Sequence, residues 1–250
     1  MRKISFSDYT IAADCQFDRI PEGKVTINTI NAYSWVLADQ DPGLKESLRG
    51  CDYLLPDGIS IVWAVRFLRR ERIRKMAGSD LHVMLLETLE RNGGSCFYLG
   101  ASEKALALIR DRVSREYPHV RVGSYCPPYM REFSRAESGR MIGRINDFAP
   151  DALFIGMTAP KQEKWLWENQ AAINARFLCC IGAVFDFYSG MKKRPAPWMI
   201  RLGLEWFGRL LSEPARLWKR YLLYNPVFIW KVFRLKKFMP TFFQKGRILF

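Results

Sequence analysis

The aspartate at position 57 stands where a carboxylate could act on a bound ligand. The apolar run Tyr53–Pro56 ends at this residue, Gly58 follows, and a helical pattern of apolar residues starts at Ile59. Buried strands of open α/β sheets end in this way, and ligands bind in the crevice beyond their carboxyl ends. Asp57 is therefore expected at the mouth of a sheet. The alternative is that it only caps the following helix, which is a common role for Asp.

Polar side chains follow two further strand patterns. Thr29 and Asn31 stand at the end of the β-branched run 25–31, either as ligand contacts or as part of an edge strand with an Asn turn. Lys161 and Gln162 follow the apolar run 151–157 and begin a helix. With Glu163 they form a cluster of a Lys, a Gln and a Glu at a strand end, which can bind a sugar phosphate but can equally be a solvated first helical turn.

Two glycine-containing segments could let a ligand approach the backbone. The strand pattern 95–100 ends at Gly100 and a helix follows, so free N–H groups there could bind an anion. This signal is weak, because the chain has neither a G-x-G-x-x-G motif nor a P-loop. Asp186 lies among aromatic residues between Gly182 and Gly190. That segment predicts either a backbone approached closely by a ligand or a tight aromatic turn in the core.

The elements that must position these residues alternate between strand and helix patterns. This alternation predicts an α/β fold with a mostly parallel, Rossmann-like sheet and helices on both faces. Right-handed crossovers place all strand-end loops on one edge of such a sheet. We therefore expect one shared edge for Thr29, Asp57, Gly100, Gln162 and Asp186.

Composition excludes several classes of protein. The chain has 250 residues, enough for one sizeable α/β domain or a domain with an appendage. Its six cysteines show no C-x-x-C spacing, so reduced cytoplasmic thiols are expected rather than a zinc site or a disulfide framework. We expect neither a signal peptide nor a membrane-spanning segment. The only histidines, His82 and His119, lie far apart in the sequence.

The net charge of +14 belongs mainly to the C-terminal part of the chain. Residues 191–250 contain fourteen Lys and Arg but only two acids, Glu205 and Glu213, and they are rich in Trp, Phe and Leu. We predict an α/β catalytic domain over 1–194 and a basic, aromatic-rich helical appendage over 195–250 that lies on an anionic membrane. The alternatives are helices that simply pack on the α/β domain, and nucleic-acid binding.

Two arginines of this segment are seven residues apart. If Arg209 and Arg216 lie on one helix, they share a face with Lys219, three residues further on. A cationic stripe of this kind beside the sheet could neutralise a diphosphate, since the planar fork of Arg suits phosphate.

The order and spacing of eight short motifs, from about residue 24 to about residue 222, resembles the WecG/TagA/CpsF glycosyltransferase family. The motifs are Thr29-Ile30-Asn31, Asp57-Gly58-Ile59-Ser60, Ala77-Gly78-Ser79-Asp80-Leu81, Tyr98-Leu99-Gly100, Gly156-x-x-x-Pro160-Lys161-Gln162-Glu163, Gly182-Ala183-Val184-Phe185-Asp186-Phe187-x-x-Gly190, Arg194-Pro195-x-Pro197-Trp198 and Gly203-Leu204-Glu205-Trp206-x-x-Arg209-Leu210.

The resemblance implies an inverting, metal-independent transferase that needs no cofactor. Such enzymes move a sugar from a UDP donor to a polyprenyl-diphosphate-linked saccharide at the cytoplasmic face of the membrane, in bacterial surface polysaccharide biosynthesis. The sugar is N-acetylmannosamine, its uronic acid or glucose, depending on the member. By similarity Asp57 is the catalytic base, Thr29 and Gln162 lie in the pocket, and the appendage closes the site. Lys75 stands where the family often has Arg, so it keeps the charge but lacks the bidentate fork.

Two classes of function compete with this one. A basic nucleic-acid-binding α/β protein would account for the net charge, and a non-catalytic membrane scaffold would account for the fold and the tail. The transferase interpretation includes no nucleic-acid partner. It leaves homo-oligomerisation open, because so apolar a tail could bury part of itself against a second copy.

Overall fold

One mixed sheet runs through the computed structural model, which describes residues 2–238. Its eight strands in this part of the chain are β1 (Lys3–Phe6), β2 (Tyr9–Ala12), β3 (Val25–Ile30), β4 (Tyr53–Pro56), β5 (Ser95–Gly100), β6 (Arg121–Tyr125), β7 (Ala152–Gly156) and β8 (Phe177–Cys180). They lie in the order β1-β2-β4-β3-β8-β7-β5-β6. Among these eight described strands, only the β1–β2 pair is antiparallel, and all other neighbouring pairs are parallel. The predicted mostly parallel sheet is confirmed.

Helices cover both faces of this sheet. They are α1 (Ala32–Leu37), α2 (Pro42–Arg49), α3 (Ile59–Arg69), α4 (Gly78–Asn92), α5 (Glu103–Glu116), α6 (Arg135–Phe148), α7 (Lys161–Asn169), α8 (Val184–Tyr188), α9 (Pro197–Arg201), α10 (Glu205–Ser212), α11 (Pro214–Trp218) and α12 (Tyr224–Phe238). Tyr98 of β5 packs in one core cluster with residues of α4 and α5, whereas its neighbour Leu99 packs in another with residues of α6 and α7. Successive strand residues point to opposite faces, so the sheet is buried on both sides.

The carboxyl ends of the parallel strands meet at one edge of the sheet. The strand register pairs Ile30 with Pro56 and Gly100 with Gly156, so β3 and β4 end level with each other, as do β5 and β7. Gly100 has φ +118°, and a Cβ there would lie 2.5 Å from the Gly156 carbonyl oxygen. Only glycine fits so close a backbone approach. This edge is where the sequence places Asp57 and the other strand-end residues.

The last described helix is part of the core. Phe228 and Val232 of α12 are buried, and the Phe228 ring lies 5.3 Å from the Trp35 ring of α1, edge to face. This packing is what the alternative interpretation of the tail expects, namely helices that pack on the α/β domain. A membrane role and the boundary at 194/195 remain predictions. Among residues 2–238, no helix is both long and apolar enough to cross a bilayer.

Phe228→Leu is expected to lower the free energy of unfolding by about 1–3 kcal/mol, because it leaves a cavity between α12 and α1. Phe238→Leu, the same substitution at an exposed position of α12, should change it by less than about 0.5 kcal/mol. Urea denaturation of both variants measures the difference. Equal effects would mean that α12 does not stabilise the α/β core.

Candidate active site

Asp57 follows β4 directly and faces the end of β3. Its backbone N–H donates to the Ile30 carbonyl at 2.9 Å, which continues the strand ladder by one residue. Gly58, with φ +107°, occupies the cap position of α3, and no side chain in the described part of the chain caps this helix. The interpretation of Asp57 as a helix cap is therefore wrong. Asp57 therefore lies at the carboxyl ends of β3 and β4.

The surroundings of Asp57 strengthen it as a proton acceptor. The residue is partly accessible to solvent, yet protein atoms surround it closely, and the loss of hydration raises the pKa of its carboxyl group. The positive charges of Lys75, Arg220 and Arg209 oppose this rise, and the negative charge of Glu205 adds to it. Because the net shift is upward, Asp57 is a stronger base than an ordinary aspartate. It can lose and regain a proton closer to neutral pH.

Lys75 is fixed beside Asp57 by an ion pair with α10. Its Nζ lies 2.6 Å from Glu205 Oε2, while Arg194 Nε lies 3.2 Å from the other oxygen of Glu205. These two cations hold the pKa of Glu205 below its usual range, although burial opposes them. The Met76 N–H donates to the Pro56 carbonyl at 3.0 Å, so the segment that carries Lys75 runs along the end of β4. Glu205 thus ties the C-terminal helices to the carboxyl edge of the sheet.

Arg220 is the site residue that sequence reasoning missed. It lies on the π-helical turn Lys219–Leu223 between α11 and α12, and its guanidinium stands 4.9 Å from the centre of the Tyr33 ring. Burial lowers the pKa of Arg220, and its positive charge acts on the carboxylates of both Asp57 and Glu163. The sequence shows it only as one basic residue among many in the tail.

Arg209 and Arg216 do not lie on one helix, so that expectation is wrong. Arg209 belongs to α10 and Arg216 to α11, and the helical conformation is interrupted at Glu213, just before Pro214. Arg209 lies 5.4 Å from the centre of the Phe187 ring and contributes to the field at Asp57. Arg216 is exposed and paired with Glu213.

Both arginines nevertheless line one cavity of about 280 Å³. Its walls are Ala183, Asp186, Phe187, Lys192, Lys193, Arg209, Ser212, Glu213 and Arg216. Asp186 is bound by Lys192 at 2.8 Å, and the same lysine reaches Glu213 at 2.6 Å. The four basic side chains outnumber the two acids, so the cavity suits an anion. A larger cavity of about 560 Å³ also includes Phe187, together with Arg194 and the start of α4.

Gln162 and Glu163 form a buried polar pair at the start of α7. Gln162 Oε1 accepts from the Met157 N–H at 3.1 Å, and its Nε2 donates to Glu163 Oε1 at 2.8 Å. Both side chains are buried, and Glu163 Oε2 has no hydrogen-bond partner among the described residues. Burial raises the pKa of Glu163, while Gln162 and Arg220 oppose the rise. These contacts orient the Gln162 amide next to the backbone of Gly182.

The site therefore places Asp57, a carboxylate of raised pKa, near several cations at the carboxyl edge of the sheet. A family model described as "Glycosyl transferase WecG/TagA/CpsF family" matches residues 3–241. The chain belongs to this family. The resemblance inferred from the order of the motifs is thus confirmed, and the protein is a glycosyltransferase.

Curated relatives agree with this assignment. The glycosyltransferase is 31% identical over 219 residues to a Bacillus subtilis (strain 168) protein, covering 88% of this chain and 83% of that protein. That relative is named N-acetylglucosaminyldiphosphoundecaprenol N-acetyl-beta-D-mannosaminyltransferase. Proteins of the same name from Bacillus spizizenii (strain ATCC 23059 / NRRL B-14472 / W23) and Staphylococcus aureus (strain MW2) are 30% and 27% identical, covering 74% and 77% of this chain and 70% and 73% of theirs.

Several predicted site residues of this glycosyltransferase also have structural contacts. Asn31 caps α1, since its Oδ1 accepts from the Ser34 N–H at 3.1 Å. Lys161 donates to the Met130 carbonyl at 2.5 Å and lies over the Phe133 ring, so it contacts the segment before α6. Thr29 is half-buried near the end of β3. Substrate roles for Thr29, Asn31, Lys75, Gly100, Lys161, Gln162, Asp186, Arg209 and Arg216 remain predictions.

The two histidines are occupied elsewhere in this glycosyltransferase. His82 is buried with its Nε2 at 2.6 Å from the Tyr98 hydroxyl, and burial lowers its pKa to about 3. His119 is paired with Glu90 at the surface. Both histidines are thus engaged by other side chains, and the role of Asp57 as the catalytic base remains a prediction.

The tripeptide Asp39-Gln40-Asp41 has the spacing of a D-x-D motif. Asp41 caps α2 and binds Lys164 at 3.2 Å, and Asp39 is paired with Lys231 of α12. Both carboxylates are thus engaged by protein groups. The structure shows no group of three or more His, Cys, Asp or Glu within residues 2–238 that could hold a metal ion. Metal independence of the reaction remains a prediction.

Glu163→Gln is expected to stabilise the fold near pH 8 by an amount on the order of 1 kcal/mol. A raised folded-state pKa means that the native protein binds the proton more tightly, so wild-type stability falls as pH rises through that pKa. The neutral amide removes this penalty and can still accept from Gln162. The gain should shrink as pH falls toward the ordinary pKa of Glu. Thermal unfolding between about pH 4 and pH 8 tests it. Glu168→Gln, an exposed position of α7, serves as the control, and a pH-independent difference would contradict the prediction.

Proposed function

We propose that this chain transfers N-acetylmannosamine, with inversion, from a UDP donor to an undecaprenyl-diphosphate-linked N-acetylglucosamine. The observation that carries the proposal is Asp57, a carboxylate of raised pKa beside Lys75, Arg209 and Arg220. The sugar and the acceptor follow from the names of the relatives. A β-linked product, as those names state, is what inversion of an α-linked nucleotide sugar gives.

Asp57 acts as the base of a single displacement. Its carboxylate takes the proton from the acceptor hydroxyl while that oxygen attacks the anomeric carbon of the donor. The bond from this carbon to the UDP oxygen breaks, and UDP leaves with the electron pair. One base on one face of the sugar suffices for this chemistry.

The cations around Asp57 stabilise the leaving diphosphate. The positive charges of Arg209, Arg220 and Lys75 act on the Asp57 carboxylate and lower its pKa. Arg209 also lines the basic cavity beside Phe187. Fixed positive groups in a site with little water stabilise developing negative charge strongly. We propose that these groups take the part that a divalent ion plays in metal-dependent transferases, so activity should persist with EDTA.

The C-terminal helices support a peripheral place at the cytoplasmic membrane surface. Exposed apolar side chains there include Trp198, Leu211, Leu222 and Trp230, and basic residues stand between them. Apolar insertion combined with basic residues holds a helix in an anionic interface. A lipid-linked acceptor would be reached from that position. Family membership favours this function over nucleic-acid binding and over a non-catalytic scaffold.

The test is UDP release by the full chain with a panel of UDP-sugars and an undecaprenyl-diphosphate-linked N-acetylglucosamine in vesicles. Release with UDP-N-acetylmannosamine that requires the acceptor supports the proposal. Release with a different UDP-sugar, and not with UDP-N-acetylmannosamine, would mean that this other sugar is the one transferred. A chain that binds none of the UDP-sugars in calorimetry would contradict the reaction class.

Lys75→Gln is expected to move the acidic limb of the pH–rate profile to higher pH. The rate falls with pH as Asp57 becomes protonated, and Lys75 holds the pKa of Asp57 down. Removing that charge lets the pKa rise further. Profiles of kcat/KM for Lys75→Gln and for Lys45→Gln, a lysine paired with Asp8, measure the shift. If the acidic limb of Lys75→Gln stays at the same pH as in the wild type, protonation of Asp57 does not determine that limb.

A further inference from the structure

Helix α3 carries apolar residues on its outer face as well as on its inner one. Its inner face buries residues such as Ala64 and Leu68 in the core. Its outer face presents Ile59 at 48% exposure and Trp63 at 38%, with Phe67 half-buried one turn further on. Spacing of four residues aligns these three along one side of the helix. An ordinary surface helix would have polar residues there.

The outer face of α3 continues onto the C-terminal helices. Trp63 stacks on Phe67 with ring centres 5.4 Å apart, and Phe233 of α12 lies 5.0 Å from Phe67 and 6.0 Å from Trp63. At the other end, a Cβ on Gly203 would lie 3.2 Å from Ile59, so the turn before α10 rests on Ile59. Leu202 in that turn is 68% exposed. We call this continuous row, Leu202-Ile59-Trp63-Phe67-Phe233, the α3 strip.

Basic residues border the α3 strip. Arg66 of α3 and Arg70, the residue that follows α3, are exposed, and so are Arg201 and Arg234 next to Leu202 and Phe233 at its two ends. The sequences of α3 and α12 contain no Asp or Glu. An apolar row with basic flanks is complementary to an anionic lipid surface. A second copy of the chain is disfavoured as the occupant, because a symmetric contact would place these like charges opposite each other.

We propose that the α3 strip is a membrane-contact surface that lies in the interface of an anionic bilayer. The inference rests on the proposed function, and it adds the α/β body itself to the surface that touches lipid. Asp57 stands two residues before Ile59, at the end of the strip near Leu202. Contact along α3 therefore sets the base at the level of the interface, where the diphosphate of a lipid-linked acceptor lies.

The double variant Ile59→Ser/Trp63→Ser tests the strip in the full chain. Partitioning into vesicles that contain phosphatidylglycerol should weaken about tenfold or more, since two large apolar side chains no longer insert. Val83→Ser/Leu108→Ser removes two side chains of similar exposure, 41% and 39%, from α4 and α5. This control should stay within about twofold of wild type. Transfer to a long-chain acceptor in vesicles should fall more than transfer to a short-chain acceptor in solution.

Unchanged partitioning of the double variant would overturn the inference. So would partitioning that is unchanged while light scattering shows the loss of a dimer, because the occupant would then be a second copy. A large fall in thermal stability with unchanged partitioning would show that the strip packs within its own chain. Vesicle binding is measured without donor or acceptor, so this result is independent of whether the proposed transfer occurs.

Discussion

Asp57→Asn is expected to lower the rate of transfer by about 10²–10⁴-fold while UDP-sugar binding is retained. Asparagine keeps the size and shape of the side chain but cannot take the proton from the acceptor hydroxyl. Single-turnover transfer measures the rate, and calorimetry with the UDP-sugar measures binding. Donor binding should survive because, in the proposed mechanism, the cations near Asp57 hold the diphosphate and its carboxylate does not.

Asp111→Asn is the matched control for this substitution. Asp111 is exposed on α5 and paired with Arg115, so its loss should leave both rate and binding unchanged. An Asp57→Asn variant that turns over as fast as this control would remove Asp57 from the mechanism. A fall in donor affinity equal to the fall in rate would make Asp57 a binding residue instead.

Arg220→Met is expected to lower kcat/KM by about 10²–10³-fold, the usual cost of one lost electrostatic contact in a transition state. Two effects act in the same direction. The leaving diphosphate loses a nearby positive charge, and the pKa of Asp57 rises because Arg220 no longer lowers it. The acidic limb of the pH–rate profile should therefore also move to higher pH. Arg220→Lys keeps the charge and should recover part of the rate.

Arg115→Met serves as the control, because this arginine is exposed on α5. Methionine matches the length of the Arg220 stem, and thermal unfolding separates a folding defect from a catalytic one. A folded Arg220→Met variant with wild-type kcat/KM and an unmoved acidic limb would show that Arg220 only packs against Tyr33.

The sequence predicts the positions of the strand-end residues well, because the signal is local. An apolar run that ends in Pro56-Asp57-Gly58 specifies a buried strand with a carboxylate just beyond it, and parallel strands end at one edge. Asp57, Thr29 and Gln162 follow from this rule. The β1–β2 hairpin is not predicted, because its strands have only four residues each, too few for an alternation of apolar and polar residues to be recognised.

The parts that the sequence does not reveal depend on contacts between distant segments. Arg220 reaches the site through the break at Glu213 and the π-helical turn, neither of which a seven-residue spacing indicates. Glu163 is indistinguishable from an exposed first-turn acid until α7 is packed. The buried residue Phe228 lies in a segment whose composition resembles a membrane-surface helix. Side-chain burial decides these cases, and it is a property of the whole fold.

Contacts between segments also engage several residues that the sequence predicts as substrate contacts. Asp186 and Arg216 line one basic cavity, but each already has an ion-pair partner, Lys192 and Glu213 respectively. Asn31 caps α1, but β3 lies between β4 and β8, so the alternative interpretation of this segment as an edge strand is wrong. A substrate would have to compete with these contacts, whereas Asp57 does not cap α3 and is partly accessible to solvent.

The mass of the lipid product formed in one turnover tests most directly whether Asp57 is the base in the transfer of N-acetylmannosamine. Wild-type chain, UDP-N-acetylmannosamine and undecaprenyl-diphosphate-linked N-acetylglucosamine are combined in phosphatidylglycerol vesicles, with Asp57→Asn in parallel. The wild type should add one N-acetylhexosamine to the lipid, and the variant should add almost none in the same time. Equal product from both proteins would show that Asp57 is not the base of the transfer.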